Sequence, residues 1–334
     1  KLTRVEVEEE YKRKMFADSL LNAQKVKINE IKLEQERKGQ KARTFIAGIA
    51  FLLLLIIAYV LYNRNQVKNR ANMILSEKNK LINSQKKALQ NEQTRVLDSM
   101  NYAQKIQRSI MLPEDEIKKL YPELFIYFKS KDIVSGDFYW FNKKENIFII
   151  AAIDCTGHGV PGAFMCMIGN TLLNEIINDK VITDPGEILN HLHKGVSLAL
   201  QQDKKGEYAQ DGMDLSICTI DLKNKNLCYA GAKNPVYLIQ DNKIEVIKGD
   251  LFSIGGQRYI NEKVKKEPVF STKCISIEKD TSIYLFTDGF MDQFGGKDNS
   301  KYNTKRFKTM LLDIHQKEPH EQKDIIEKTM DSWK

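Results

Sequence analysis

Three aspartates sit where a buried strand starts or stops, each beside glycine. Asp137 lies in Val134-Ser135-Gly136-Asp137-Phe138-Tyr139, at the head of an apolar run. Asp154 ends the apolar stretch Ile147–Ile153 and opens Asp154-Cys155-Thr156-Gly157-His158-Gly159. Asp288 follows Tyr284-Leu285-Phe286-Thr287 and precedes Gly289. Carboxylates at strand ends gather hard oxygen donors at one sheet edge, and adjacent glycines let main-chain carbonyls approach a cation. Carboxylate, carbonyl and water ligands suit Mg²⁺ or Mn²⁺. One aspartate near a glycine is an ordinary turn signal; three such aspartates at strand ends point to a metal site.

Other polar clusters weigh less. Asp211 and Asp214 in Asp211-Gly212-Met213-Asp214 read as a turn before a strand or as accessory ligands. His191 and His193 have an HxH spacing, but on a helix such side chains do not face alike, so metal binding there is not expected. Asn234-Pro235 reads as a strand-to-strand turn.

These residues need strands to carry them. Phe138–Phe141 and Ile147–Ile153 form an expected hairpin across the polar turn 142–146. Further strand signals fall at Leu215–Asp221, Asn226–Ala230, Val236–Gln240, Lys243–Ile247 and Ser282–Phe286. Helical patterns cover Gly162–Ile177, Pro185–Gln202, Lys305–Ile314 and Glu318–Asp331. Hairpin-spaced strands with helices inserted as a block predict an antiparallel α+β domain rather than a doubly wound parallel sheet.

The first third of the chain is different. Residues 1–112 hold 22 Lys+Arg against 11 Asp+Glu, whereas the other 222 hold 30 against 33. The net charge of +8 therefore belongs to the N-terminal region, and the globular part has no basic surface for nucleic acid. Thr44–Tyr62 is a run of 19 residues without charge. As a helix it is roughly 28 Å long, close to the thickness of a bilayer's hydrocarbon core. The charged segment before it argues against a cleaved signal peptide. Seven Lys/Arg in the twenty residues before the run and five in the twenty after it slightly favour an inward N-terminus.

Residues 1–43 suggest a helical hairpin or the last helix of an array. Leu75, Ile82, Leu89, Val96, Ala103 and Ile110 recur every seven residues, with Asn79, Lys86 and Gln93 at companion sites. The pattern predicts a weak-seamed, dimeric coiled coil over 63–113, or else a solvated single helix. Pro113 ends it. Five cysteines without a CxxC pair predict neither a zinc ribbon nor a disulfide framework, and thiols in a reducing compartment.

The blocks VSGDFYWF (134–141), DCTGHGVPGAFM (154–165), AGAKNPVYLI (230–239) and YLFTDGFMDQFGG (284–296), in that order, resemble the SpoIIE-like branch of the PPM, or type 2C, metal-dependent serine/threonine protein phosphatases. Residues 102–113 are similar to the linker that precedes that domain in bacterial signalling proteins. The resemblance covers about residues 100–334. It implies a PPM-type β-sandwich of two antiparallel sheets flanked by helices, with two Mn²⁺ or Mg²⁺ ions at one edge. Asp154 would bridge the ions, the Cys155 backbone carbonyl would join it, Asp288 would hold the second ion, and Asp137 would serve directly or through water. Paired cations lower the pKa of a water that attacks phosphorus, so no protein nucleophile is needed. His158 then reads as a loop-structural residue, with proton donation to the leaving alkoxide as the other reading.

The family usually closes with a further strand whose aspartate completes the second ion's shell. This sequence ends at Trp333-Lys334 before such a block, so a truncated domain is expected. The organisation read from the chain is 1–43 an extracytoplasmic helical segment, with the end of a tetratricopeptide array as one reading, 44–62 a transmembrane helix, 63–113 a coiled-coil signalling linker, and 114–334 the phosphatase domain. The expected protein is a single-pass inner-membrane phosphatase with its catalytic domain in the cytoplasm. It would act on a phosphorylated regulatory protein such as an anti-sigma-factor antagonist, as a homodimer joined through the coiled coil. The competing readings are an inactive PPM-fold scaffold and a hydrolase of small phosphorylated metabolites. The latter lacks any phosphate-binding Gly-Lys-Ser/Thr loop.

Overall fold

The computed structural model describes residues 4–202, 204, 210–256, 259–260, 263–264, 267–277 and 280–334. The chain divides into two compact units, 1–91 and 92–334.

Helix α1, Arg4–Ile110, supplies all of the described part of the first unit. It is unbroken, so residues 4–43 are not a hairpin. Gly39 and Gly48 lie within it with open space where a Cβ would stand. The apolar run from Thr44 is fully exposed, with no residue of its most apolar window buried, and by length and composition it can cross a membrane. On the single chain Leu75, Ile82 and Leu89 are exposed as well.

In the second unit the elements follow as α2 (Glu114–Leu120), β1 (Asp137–Lys144), β2 (Ile147–Cys155), α3 (Gly159–Asn174, continued by a π-helical turn over Glu175–Asp179) and α4 (Pro185–Ala199). Next come β3 (Gly212–Asp221), β4 (Asn226–Ala232), β5 (Val236–Gln240), β6 (Lys243–Ile247), β7 (Ile254–Gly255), β8 (Tyr259–Ile260) and β9 (Lys263–Val264). The chain ends with β10 (Lys273–Ser276), β11 (Ser282–Tyr284), β12 (Phe294–Gly295), β13 (Ser300–Lys301), α5 (Asn303–Ile314) and α6 (Pro319–Trp333).

One antiparallel sheet runs β1-β2-β3-β4-β10, with β7 on β3, and a second runs β11-β5-β6. Strand alternation sorts the side chains into three apolar layers. Ile149, Ala151 and Ile153 of β2 face α3 and α4, meeting Leu173, Leu189 and Leu192. Phe148 of β2 points the other way, where Ile220, Leu227, Val236 and Leu238 fill the space between the sheets. Tyr237 and Ile239 of β5 face α5 and α6 through Phe307, Leu311 and Ile326. The result is a helix–sheet–sheet–helix sandwich, as expected. Strand β2 reads as a continuous apolar run because both of its faces are covered.

The hairpin is tighter than predicted. Strands β1 and β2 extend to Lys144 and from Ile147, leaving only Glu145-Asn146 as the turn, with Glu145 at φ 52°. A two-residue turn with positive φ matches the twist of the strands it joins.

The cysteine expectation is corrected. Cys228 on β4 and Cys274 on β10 are direct ladder partners and form a disulfide, leaving Cys155, Cys166 and Cys218 free and buried. Their 46-residue separation hides the pairing from any local motif. In denaturant without reductant, three of the five cysteines are expected to react with a thiol reagent. Cys228→Ser is expected to lower stability by about 2–4 kcal/mol, measured by urea denaturation.

Candidate metal centre

Asp137 and Asp154 are paired residues on β1 and β2, and Asp154 is paired in turn with Asp214 on β3. Directly opposed residues share a face. That face is the one turned toward the second sheet, since Phe141 and Phe148 of the same parity lie between the sheets. From the second sheet the chain leaves β11 and reaches Asp288 four residues later. Two strand ends from one sheet and one from the other thus bring Asp137, Asp154 and Asp288 together at one end of the sandwich. All three line one cleft, and the Asp154 carboxyl feels the charges of both of the others. Thr287 Oγ1 donates to Asp137 Oδ2 at 2.7 Å.

The electrostatics follow from this crowding. Burial pushes the Asp154 carboxyl up, and the charges of Asp137 and Asp288 push it further, to about 8. Burial also raises Asp137, with Asp288 adding to the rise, while hydrogen bonds from Thr287 and Asp154 hold it back. Such a trio retains protons unless a cation replaces them.

The donor set fits a hard cation. It consists of oxygen donors only, and carbonyl oxygens crowd the adjoining glycine-lined turn. A Cβ on Gly136 would lie 3.2 Å from the Cys155 carbonyl oxygen and 2.5 Å from that of Gly157. Among the described residues, no group of three or more His, Cys, Asp or Glu side chains stands as a ready-made metal cage.

Three glycines let the two acidic turns and a helix meet. A Cβ on Gly162, in the first turn of α3, would stand 2.6 Å from Gly157 O and 2.7 Å from Gly136 Cα. Backbone thus packs directly on backbone beneath Asp137 and Asp154. Gly157 itself has φ +84°.

The accessory residues each have hydrogen-bond partners. Asp211 Oδ1 accepts from Thr156 Oγ1 at 2.9 Å, and that hydroxyl accepts from Gly212 N, which fastens the 154–159 turn to β3. Asp214 accepts from Lys233 Nζ at 3.2 Å. His158 is the N-cap residue of α3, and its Nδ1 shares a hydrogen bond of 3.0 Å with Asp132 Oδ2 while the ring stays exposed. The Cys155 side chain is buried and its thiol is pushed well above the usual range by that burial, so only its backbone carbonyl is available. His193 Nδ1 accepts from Gly255 N, and His191 is exposed on α4. Sequence reasoning missed Thr287, whose signal was a hydroxyl immediately before the strand-end Asp288. It also missed Gln107, for which the sequence holds no signal.

Comparison with known proteins now bears on this geometry. Residues 144–333 match the family described as Stage II sporulation protein E (SpoIIE). The SiaA-PP2C domain of Pseudomonas aeruginosa is 29% identical, with a TM-score of 0.64 over 72% of this chain and 91% of that one. The PP2C phosphatase domain with a regulatory fragment of SpoIIE from Bacillus subtilis is 17% identical, with a TM-score of 0.47 over 60% and 54%. The RsbU and RsbW domains of Rv1364c from Mycobacterium tuberculosis are also 17% identical, with a TM-score of 0.47 over 61% and 53%. No protein of curated function matches the sequence. The chain belongs to the SpoIIE family of PP2C-type serine/threonine phosphatases and is a protein phosphatase.

The glycine contacts set the first test of the site's scaffold. Gly162→Ala is expected to cost about 1–3 kcal/mol in urea denaturation, because backbone must move. Gly289→Ala, whose Cβ meets nothing closer than 3.8 Å, is expected to stay within about 0.5 kcal/mol.

Proposed function

We propose that this protein is a membrane-anchored serine/threonine phosphoprotein phosphatase whose metal-binding edge consists of Asp137, Asp154, the Cys155 carbonyl and Asp288. The observation that carries the reading is the convergence of the paired Asp137 and Asp154 with Asp288 on one cleft, where Thr287 Oγ1 donates to Asp137 Oδ2 at 2.7 Å. The central place of Asp154 suits a ligand shared by two ions, with Asp137 and Asp288 on either side. When bound, Mn²⁺ or Mg²⁺ supplies an activated water and neutralises charge on the phosphoryl group. Thr287 keeps the Asp137 carboxylate oriented, and the Thr156–Asp211 link holds the turn that presents the Cys155 carbonyl. His158 is tied to Asp132 and exposed, which supports a positioning role in the loop. An open cleft of about 1620 Å³ runs past Asp137, Asp154, His158 and Asp288, room for a protein segment bearing the phosphate.

The wider assignment uses the same chain logic. Residues 1–43, 44–62, 63–113 and 114–334 are proposed as an extracytoplasmic helix, a transmembrane helix, a signalling linker and the phosphatase domain. The exposed apolar run of α1 supports the anchor. The exposed seam at Leu75, Ile82 and Leu89 supports a homodimer through 63–113. A cytoplasmic phosphatase domain follows from a phosphoprotein substrate, for which an anti-sigma-factor antagonist is the proposed class. The disulfide withdraws the cysteine argument for that side, and the small Lys/Arg excess before the span opposes it.

Hydrolysis of a phosphoserine peptide by the full chain in detergent tests the activity. We expect turnover with Mn²⁺, none with EDTA, and a loss of about a hundredfold or more in Asp154→Asn. Turnover unchanged by EDTA and by the substitution would refute the metal-centre reading. Protease treatment of intact spheroplasts is expected to spare residues 63–334; their digestion would reverse the topology.

A further inference from the structure

Gln107 lies in the last turn of α1 and is 4% exposed, one of few buried polar side chains in the domain. Its amide pairs with both main-chain groups of Ser135. Nε2 donates to Ser135 O at 2.6 Å, and Oε1 accepts from Ser135 N at 3.0 Å. One turn earlier, Gln104 Nε2 donates to the Ile133 carbonyl. Ser135 precedes β1 and has no ladder partner, so a side chain from α1 does there what a neighbouring strand does elsewhere.

The contact leads straight to the acidic edge. Ser135 Oγ accepts from Asp137 N at 3.0 Å, and the Gly136 carbonyl accepts from Cys155 N at 3.3 Å. The amide of Gln107 also meets the Cys166 thiol on α3. The end of α1 is thereby hydrogen-bonded, through one residue, to the strand end that carries Asp137.

We propose that Gln107 is a positioning residue: its amide clamps Ser135 so that Asp137 stays within the carboxylate trio, which makes cation binding depend on where α1 ends. The inference rests on the metal-centre reading above and deepens it. Asp137 supplies the donor, and Gln107 supplies the placement. A shift of the helix by one residue moves Gln107 about 100° around its axis and abolishes both hydrogen bonds to Ser135.

The test is Mn²⁺ binding by calorimetry to the full chain in detergent, with thermal unfolding recorded for each variant. Gln107→Met keeps the shape and removes both hydrogen bonds. Tyr139→Phe is the control, since it deletes another tie to the start of the domain, the 3.0 Å bond from Tyr139 Oη to Leu112 O, without touching Ser135. Outer partners of metal ligands change affinity about 10–100-fold. We expect Gln107→Met to bind Mn²⁺ at least about tenfold more weakly, and Tyr139→Phe to bind as the wild type does. Unchanged affinity in Gln107→Met overturns the proposal, as does an equal loss in both variants that tracks their unfolding temperatures. If Gln107→Met does not fold, Gln104→Leu, which removes only the Ile133 bond, takes its place; weaker Mn²⁺ binding supports the clamp and wild-type binding overturns it. Absence of Mn²⁺ binding by the wild type refutes the metal centre itself, and the clamp with it.

Discussion

Asp137, Asp154 and Asp288 crowd one end of a cleft, and burial together with mutual charge raises the carboxyls of Asp154 and Asp137. Two unit charges about 4 Å apart repel by about 4 kcal/mol at the effective dielectric of a protein's outer layers, and Asp154 faces two such neighbours. Protons or cations must settle the difference, and Asp154 holds its proton up to about pH 8 in their absence. A fold that tolerates this arrangement gives up stability at one end of its sandwich. Such a cluster is what a cation-dependent phosphatase needs and what a purely structural domain avoids.

The remainder of the domain is arranged so that this cluster cannot disperse. Pairing Asp137 with Asp154 is a matter of register, and a slip of one residue would send one carboxylate into the apolar layer under α3 and α4. Both strands are buried on two faces, which makes that slip expensive. The glycine contacts between residues 136, 157 and 162 then remove the side chains that would hold the turns apart. Asp288 arrives from the other sheet, so the spacing of the sheets decides its reach. That spacing is set by Phe148, Leu227, Val236 and Leu238, none of which touches a phosphate.

The long helix has two characters. Up to Asn91 it makes a unit of its own, and the residues of its most apolar window are exposed. Its final turns belong to the phosphatase domain, where Gln104 and Gln107 reach main-chain atoms of the segment before β1. Through Ser135 those bonds tie the end of the helix to the strand end that carries Asp137. The disulfide between β4 and β10 lies on the far strands of the large sheet and fixes nothing at this junction.

Much of this was legible in the sequence. Apolar alternation showed the strands, the block order identified the family, the uncharged run of 19 residues stood out, and the Asp-Gly turns marked the strand ends. Those features are local, and local spacing is what a sequence displays. Three decisions were not local. Cys228 and Cys274 are 46 residues apart and meet only because β10 pairs with β4. Asp211 bonds to Thr156 and Asp214 to Lys233, partners that strand pairing brings close from 55 and 19 residues away. Gln107 is buried against Ser135, 28 residues away, in a stretch whose sequence reads as a weak coiled coil or a solvated helix. The sequence by itself determined which residue types could bind a cation and on which elements they ride. Tertiary structure alone decided which of them meet, because contacts between distant segments depend on register and packing, and neither is written in any one stretch of chain.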